Sequence, residues 1–207
     1  MNNVLALLAA YLLGSVSFGY LAGKLLKGID IRQFGSGNAG TTNIQRTLGT
    51  GPAIAVLILD AAKGLVAVLI AQALTGNPPV MMLAGVAAVL GHNWPVFFGF
   101  KGGRGIATSV GVILGLTPGV ILIATAVGVI LIATTRYVSL GSVTGAVLIP
   151  MLMIIFGHDF SYVIFGTALA ALAVWRHKEN ITRLLNGTEN KLGAKVNVSA
   201  KEKKVEK

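Results

Sequence analysis

The sequence predicts an all-α, polytopic membrane protein. Hydrophobic residues make up 54% of its 207 residues and charged residues only 12%, well below the roughly 25% of ordinary soluble domains. Apolar runs recur along the whole chain, and about 20 consecutive apolar residues are enough for a helix to cross the hydrocarbon core. We therefore expect a single integral membrane domain over residues 1–187. Residues 188–207 are polar and Lys-rich, and we expect a disordered cytoplasmic tail there.

Seven apolar stretches predict seven transmembrane helices. The fourth is short, because a crossing needs about 20 residues and this stretch has about a dozen. It is either a short helix or part of one long helix over 105–135 that breaks at Thr117-Pro118-Gly119. The stretches cover residues 4–24, 51–73, 79–99, 105–116, 119–135, 138–156 and 160–175.

The basic residues between these stretches predict the orientation of the chain. Lys and Arg follow the first, third, fifth and seventh stretches, whereas the other connections carry none. Because basic residues of short loops stay in the cytoplasm, the N-terminus is expected outside and the C-terminus in the cytoplasm. A single long helix over 105–135 would put Arg136 on the outer side and break this alternation.

A glycine-rich polar segment follows the first stretch. Residues 34–46 read Phe-Gly-Ser-Gly-Asn-Ala-Gly-Thr-Thr-Asn-Ile-Gln-Arg. The glycines allow positive φ and close approach of the backbone to a ligand, and the short polar side chains can hydrogen-bond to it. Several N–H groups could form an anion site near Arg46. A polar turn between two membrane helices has the same composition, so both interpretations stay open at this point.

Two more polar segments fall on the same predicted side. Residues 101–105, Lys-Gly-Gly-Arg-Gly, precede a predicted helix, whose N-terminus favours an anion; the alternative is a tight turn whose charges fix topology. The segment does not match the nucleotide-binding Walker pattern. Residues 175–183 end the last stretch, and His177 and Asn180 lie three apart on one helical face.

A few ionisable residues lie inside the apolar stretches. Lys63 stands three residues after Asp60, which indicates either a functional site in the membrane or a neutralising ion pair. His92 is interpreted as a structural hydrogen-bonding group. Cysteine is absent, and no set of His and carboxylates has metal-ligand spacing. We therefore expect no disulfide, no thiol nucleophile, no metal and no cofactor.

The three polar segments closely resemble the cytoplasmic motifs of the bacterial acyl-phosphate:glycerol-3-phosphate acyltransferases, the PlsY family. The matching residues are Gly-Ser-Gly-Asn-Ala-Gly-Thr-Thr-Asn at 35–43, Gly-His-Asn-Trp-Pro-Val-Phe-Phe-Gly-Phe-Lys-Gly-Gly-Arg-Gly at 91–105, and Arg-His-Lys-Glu-Asn-Ile at 176–181. The similarity extends in order and spacing from Tyr11 to Glu189. It implies a seven-helix enzyme of the bacterial inner membrane with its active site on the cytoplasmic face.

The implied reaction moves a fatty acyl group from acyl phosphate to the 1-hydroxyl of sn-glycerol 3-phosphate. The products are lysophosphatidic acid and phosphate, in the first step of bacterial phospholipid biosynthesis. The implied partners are these two substrates and membrane lipid, without nucleic acid, and we expect a monomer.

The resemblance also implies which residues bind the substrates. For glycerol 3-phosphate they are Ser36, Arg46, Arg104, Ser142, His177 and Asn180. For the phosphate end of the donor they are Gly35, Gly37, Asn38, Thr42, Asn43, Lys101, Gly102 and Gly103. One position departs from the family pattern, which usually reads Lys-Gly-Gly-Lys-Gly: Arg104 keeps the charge but replaces a compact ammonium with a planar guanidinium.

The expected chemistry agrees with the residue types present. Acyl phosphate has a good leaving group, so the reaction needs neither a metal nor a covalent acyl-enzyme. His177 is the only side chain in the three motifs with a pKa suited to deprotonating the attacking hydroxyl. A substrate phosphate oxygen could do this instead, which would leave His177 and Asn180 as binding groups. The acyl chain is expected to enter between helices beside Phe97, Phe98 and Phe100.

Two other function classes agree less well with the sequence. A transporter of a small organic phosphate would place its site near the middle of the membrane, whereas the polar motifs here crowd one face. An acyl-CoA-dependent acyltransferase would carry a His-x4-Asp pair, and none of His92, His158 and His177 has an Asp five residues later.

Overall fold

The computed structural model describes residues 1–194, and in that range the chain forms α-helices and two single-turn 3₁₀ helices but no strand. The 3₁₀ helices are Ile31–Gln33 and Val96–Phe98. The α-helices are α1 (Asn2–Gly14), α2 (Phe18–Lys27), α3 (Thr41–Leu48), α4 (Thr50–Thr75), α5 (Pro78–Asn93), α6 (Ile106–Leu116), α7 (Pro118–Thr135), α8 (Val138–Ile155), α9 (Phe160–Arg176) and α10 (Lys178–Leu185).

The helical class and the membrane-spanning character are as predicted. Five segments in the described range are long and apolar enough to cross a bilayer: Asn2–Lys27, Thr50–Thr75, Pro78–Phe98, Pro118–Thr135 and Val138–Ile155. Two shorter apolar helices, α6 and α9, coincide with the fourth and seventh predicted crossings. Large apolar side chains on several helices face outward, with Leu122, Ile155 and Phe160 exposed by 65%, 71% and 76%. Lipid is the solvent that such a surface requires.

The first predicted crossing is interrupted rather than continuous. Helix α1 ends at Gly14, and α2 begins at Phe18 after Ser17, whose hydroxyl accepts a hydrogen bond from the Tyr20 amide. An interruption frees backbone carbonyls, which must find partners away from water. One of them, the Val16 carbonyl, accepts a hydrogen bond of 2.7 Å from the Lys63 ammonium. A buried side chain of α4 therefore provides the hydrogen bond that this carbonyl lost when the helix was interrupted.

The fourth stretch is a short helix. Helices α6 and α7 pack against each other on the two sides of Thr117, and Val112 and Ile121 belong to one core cluster. A single helix with a break would keep these side chains apart. With 11 residues, α6 is about 16 Å long at 1.5 Å per residue, and it begins at the cavity described below.

Close contact between α4 and α6 depends on glycine. A Cβ on Gly111 would overlap the Ala61 carbonyl, and one on Gly64 would overlap the Thr108 carbonyl. Small residues let helix backbones approach closely in lipid, where van der Waals packing drives association. Helix α4 also packs against α1 and α5, while α7, α8 and α9 form the other side of the bundle.

The predicted disordered tail lies only partly within the described range. Residues 195–207 are outside it. Residues 188–194 are described, and their backbone is docked on the bundle. The Leu192 amide donates to the Arg136 carbonyl at 2.7 Å, and the Arg136 guanidinium donates to the Leu192 carbonyl at 3.0 Å. The polar segment therefore still contacts the bundle at Leu192, beyond position 188.

Candidate active site

A cavity of about 640 Å³ opens among α3, α4 and α6 to α10. Most of the predicted site residues line it: Ser36, Asn38, Thr42, Asn43, Arg46, Arg104, Ser142, His177 and Asn180. A second cavity of about 350 Å³ shares Ser36, Asn38 and Arg104 with the first and adds Gly37 and Gly102. Gly35, Lys101 and Gly103 line neither of these two cavities. All three sequence motifs thus meet in one place.

The glycine-rich segment is held in shape by Asn43. This side chain is 1% exposed, and its amide nitrogen donates to the carbonyls of Ile31 and Phe34 at 3.2 and 3.0 Å. Its amide oxygen accepts from the Ser36 N–H at 3.0 Å. Because these bonds occupy both ends of the amide, we interpret Asn43 as the support of the loop and not as the phosphate ligand expected from the sequence.

The second half of the segment is the helix α3, not a loop. Thr42 and Arg46 lie four residues apart and therefore on the same face, the one that lines the cavity. The Arg46 guanidinium is partly buried, which lowers its pKa, and one of its nitrogens donates to the Asn190 carbonyl at 3.2 Å. Its other donors leave it able to bind an anion as well.

The Gly102-Gly103 pair does not offer the amide nest expected from the sequence. The Gly102 N–H donates to the Asn93 carbonyl at 3.2 Å, and the Gly103 N–H donates to the His92 carbonyl at 3.1 Å. Glycine is needed at both positions for close packing, since a Cβ on Gly103 would overlap the His92 ring. The Lys101 side chain is exposed. Gly102 and Gly103 therefore determine the shape of the loop. Of the two basic side chains in this motif, Arg104 lines the cavity and Lys101 does not.

Arg104 is a partly buried cation whose guanidinium makes no direct contact with a carboxylate in the described range. Burial, followed by repulsion from Arg183, lowers its pKa to about 10, so it stays charged at neutral pH. Within residues 1–194, no hydrogen bond or ion pair engages its guanidinium. A buried charge without a partner is costly, and an anionic ligand in the cavity would supply one.

His177 presents one definite ring nitrogen to a ligand. Its Nδ1 lies 2.7 Å from the Ala173 carbonyl oxygen, which can only accept, so Nδ1 carries the hydrogen and Nε2 keeps its lone pair. Burial is the main reason that the pKa of this imidazole falls to about 4, with the positive charges of Arg104 and Arg176 lowering it further. At neutral pH His177 is therefore neutral, and its Nε2 accepts hydrogen bonds.

Asn180 is oriented by an acidic residue that sequence reasoning missed. The Asn180 amide nitrogen donates to the Glu189 carboxylate at 2.7 Å, which identifies the other end as the oxygen. That Oδ1 is buried and has no partner among the described residues. Glu189 also accepts from Ser139 at 3.0 Å and from Arg183 at 2.7 Å. Burial raises the pKa of Glu189, but these hydrogen bonds more than offset it and keep the carboxylate ionised.

Two arginines of the third motif, Arg176 and Arg183, also support the site. Arg176 donates to the Gly103 carbonyl at 2.8 Å, and its guanidinium lies over the Trp94 ring at 5.2 Å. Arg183 holds Glu189, as described above. The role of Glu189 had one signal in the sequence: a single carboxylate stands next to a strongly basic tail, at the end of the family resemblance.

The rest of the large cavity is apolar. Its wall is made by α4, α7 and α8, with Leu57, Ile58, Val129 and Ile132 among the lining side chains. The sequence prediction for the acyl chain pointed to Phe97, Phe98 and Phe100. None of these three lines the cavity, so the apolar wall comes from helices distant in sequence. One cavity therefore joins a cationic end to an apolar arm.

Comparison with known proteins identifies the family. The profile of the family described as glycerol-3-phosphate acyltransferase matches residues 4–187. The chain is 48% identical to the glycerol-3-phosphate acyltransferase of Halalkalibacterium halodurans over 197 residues, which cover 92% of this chain and 96% of the relative. It is 52% identical to that of Shouchella clausii over 203 residues, which cover 94% and 98%.

Solved structures agree with this assignment. The crystal structure of PlsY, an integral membrane glycerol 3-phosphate acyltransferase, in its glycerol 3-phosphate form is 41% identical, with a TM-score of 0.89 over 93% of this chain and 96% of that one. The lysophosphatidic acid form is 40% identical, with a TM-score of 0.86 over 94% and 97%. This chain therefore belongs to the PlsY family of glycerol-3-phosphate acyltransferases.

Proposed function

We propose that this glycerol-3-phosphate acyltransferase uses acyl phosphate as its donor and acylates the 1-hydroxyl of sn-glycerol 3-phosphate. The products are lysophosphatidic acid and inorganic phosphate. The proposal rests on one observation: a single cavity joins an apolar arm to the Arg104 guanidinium, which has no hydrogen bond or ion pair to any described residue. Such a cavity accommodates a substrate phosphate and a fatty acyl chain in the same place.

The acceptor lies at the polar end of the cavity. Its phosphate binds Arg104 and Arg46, which offer the charge-assisted, planar donor geometry that suits phosphate. Ser36 and Ser142 add hydroxyl groups along the same wall. The glycerol hydroxyls donate to two acceptors that lack other partners among residues 1–194, His177 Nε2 and Asn180 Oδ1.

The donor approaches from the glycine-rich segment. Its phosphate lies near Asn38 and Thr42, where the N-terminus of α3 favours an anion. Gly37 and Gly102 line the smaller adjoining cavity, through which phosphate leaves. The acyl chain occupies the apolar arm, where burial of its methylene groups contributes about 0.8 kcal/mol each.

Catalysis consists mainly of holding two anions together. Each phosphate carries a charge of about −1.5 to −2 near neutral pH, and Arg46 and Arg104 offset the repulsion between them. The acceptor oxygen forms a bond to the acyl carbon, and the bond from that carbon to the phosphate oxygen breaks. The leaving phosphate takes the electron pair and the hydroxyl proton, because a group with a pKa of about 6 is a stronger base than His177. His177 aligns the hydroxyl for attack.

The enzyme is proposed to cross the bacterial inner membrane seven times, with the N-terminus outside and the active site on the cytoplasmic face. Contacts between chain segments support this topology. Asn2 donates to the Leu74 carbonyl at 3.2 Å, which joins two predicted outer ends. Arg32 donates to the Phe98 carbonyl at 2.6 Å, which joins two predicted inner loops. We also propose that the enzyme acts as a monomer.

The absence of native cysteine allows a direct test of topology. Single cysteines at Asn77 and Asn186, both exposed, are expected to react from opposite sides with a membrane-impermeant maleimide. Asn77→Cys should be labelled in intact cells, whereas Asn186→Cys should be labelled only after the membrane is opened. The parent chain serves as the unlabelled control. Labelling of both positions in intact cells would refute the proposed orientation.

The donor is tested with purified protein in detergent micelles. Glycerol 3-phosphate is supplied with palmitoyl phosphate or with palmitoyl-CoA, and lysophosphatidic acid is measured by mass spectrometry. We expect product and free phosphate with palmitoyl phosphate and none with palmitoyl-CoA. Product from palmitoyl-CoA alone would overturn the proposed donor while leaving the family assignment intact. Reconstituted vesicles that accumulate glycerol 3-phosphate without acylation would instead favour the transporter.

A further inference from the structure

Three ionisable side chains lie buried between α4 and α5, behind the loop that carries Arg104. The Lys63 ammonium is 2.8 Å from the Asp60 carboxylate, and the two side chains are 1% and 2% exposed. His92 Nδ1 lies 3.5 Å from the same carboxylate oxygen. Buried ion pairs give little net stability over apolar residues of similar size, so stability alone is a weak explanation for them.

At one end of this cluster, Lys63 contacts the residues between α1 and α2, where the first crossing is interrupted. The Lys63 ammonium donates to the Val16 carbonyl at 2.7 Å and lies 5.6 Å from the centre of the Phe18 ring. Lys63 is therefore fixed by contacts with both α4 and the break between α1 and α2. Asp60, which pairs with it, is fixed in turn.

The other end of the cluster contacts the loop that carries Arg104. The His92 carbonyl accepts the Gly103 N–H at 3.1 Å, and the imidazole packs so closely on Gly103 that no Cβ fits there. Residues 99–105 form neither helix nor strand, and Gly99, Phe100 and Gly105 adopt positive φ. Within residues 99–105 a local backbone hydrogen bond runs from the Phe100 N–H to the Pro95 carbonyl at 3.0 Å, so the part of the loop that carries Arg104 is positioned mainly by its contacts with His92, Asn93 and Arg176.

We infer that His92, which packs on Gly103 beside the Asp60–Lys63 pair, is a positioning residue that sets where the Arg104 guanidinium lies in the active-site cavity. The inference rests on the proposed role of Arg104 in binding glycerol 3-phosphate. His92 and Asp60 line the same cavity as Arg104, but the packing of the imidazole on Gly103 makes the loop its target. A displacement of about 1 Å at a substrate-binding charge can cost about 100-fold in rate, so small changes at His92 are expected to matter.

The test is a double-mutant cycle between His92 and Arg104. His92→Asn keeps an amide donor near the position of Nδ1 and removes the ring atoms that pack on Gly103. Alone, it is expected to raise KM for glycerol 3-phosphate about tenfold with a smaller change in kcat. In the Arg104→Ala background the same substitution is expected to change kcat/KM less than about twofold, because residues acting through one another are non-additive.

A second variant reaches the same contact without touching the buried ions. Gly103→Ala pushes the loop away from the His92 ring, and its effect should likewise disappear in the Arg104→Ala background. His158→Asn, a histidine in the α8–α9 connection, is the matched control and should leave both constants unchanged.

If His92→Asn lowers kcat/KM by the same factor with Arg104 present and in the Arg104→Ala background, the inference is overturned. His92 would then only stabilise the folded structure. A fall in melting temperature with unchanged KM would do the same. All variants are compared with the wild-type enzyme on the donor that it uses, so a failure of the proposed donor would appear separately in the wild-type assay.

Discussion

Arg104→Ala is expected to lower kcat/KM for glycerol 3-phosphate by about 100-fold or more, since a preorganised charge in a water-poor site is usually a large catalytic term. The guanidinium makes no hydrogen bond or ion pair within residues 1–194, so it is available to the ligand. Its removal is therefore expected not to lower the melting temperature of the ligand-free protein, and relief from a buried charge is expected to raise it. Steady-state kinetics at varied glycerol 3-phosphate and thermal unfolding in detergent measure both effects.

Arg104→Lys is the matched control for this prediction. It restores the residue that the family usually carries, keeps the charge and loses the planar fork. We expect kcat/KM within about tenfold of the wild-type value. Near wild-type activity of Arg104→Ala would remove Arg104 from the substrate site, whereas a large loss in Arg104→Lys would show that this chain depends on guanidinium geometry.

His177→Ala is expected to lower kcat by about 100-fold, because the attacking hydroxyl loses the acceptor that aligns it. The pH dependence separates alignment from general-base catalysis. The folded pKa of His177 is about 4, below its ordinary value of 6.5, so the free enzyme keeps this ring neutral as pH falls from 6.5 towards 4. An acid limb of kcat/KM near pH 6 would then come from the second ionisation of a substrate phosphate.

The residual activity of His177→Ala provides the decisive comparison. If His177 only aligns the hydroxyl, the variant should keep the acid limb near pH 6 at a lower overall rate. A limb near pH 6.5 that disappears in the variant would show that His177 takes the proton. His158→Ala is the control histidine and should change neither the rate nor the pH profile.

Much of the architecture was predictable from sequence because it follows from local properties. Transfer of an apolar segment into lipid is favourable segment by segment, so the apolar runs show where helices lie in the membrane. The positions of Lys and Arg predict the side of the membrane on which each loop lies, and the cysteine labelling proposed above tests that prediction. The three polar motifs were also visible in the sequence, as polar segments between apolar stretches. In the structure, Ser36, Arg104 and His177, one residue from each motif, line the same cavity.

The roles of individual polar groups were less predictable. The amides of Gly102 and Gly103 looked available for phosphate in the sequence, yet the His92 and Asn93 carbonyls accept them. Asn43 looked like a ligand, yet its amide is used within the loop. Whether a donor is free depends on which acceptor lies within about 3 Å, and that is a property of the folded chain.

The sequence by itself determined the membrane-spanning helical class and the three motifs, because hydropathy and loop charge are read one segment at a time. Only the tertiary structure decided that α1 and α2 are separate helices, that Glu189 orients Asn180, and that the Arg104 guanidinium has neither a hydrogen bond nor an ion pair among the described residues. These facts depend on contacts between residues far apart in the chain, such as Lys63 with Val16. The physical reason is that a buried polar group is satisfied by whichever partner folding brings to it, and sequence spacing does not specify that partner.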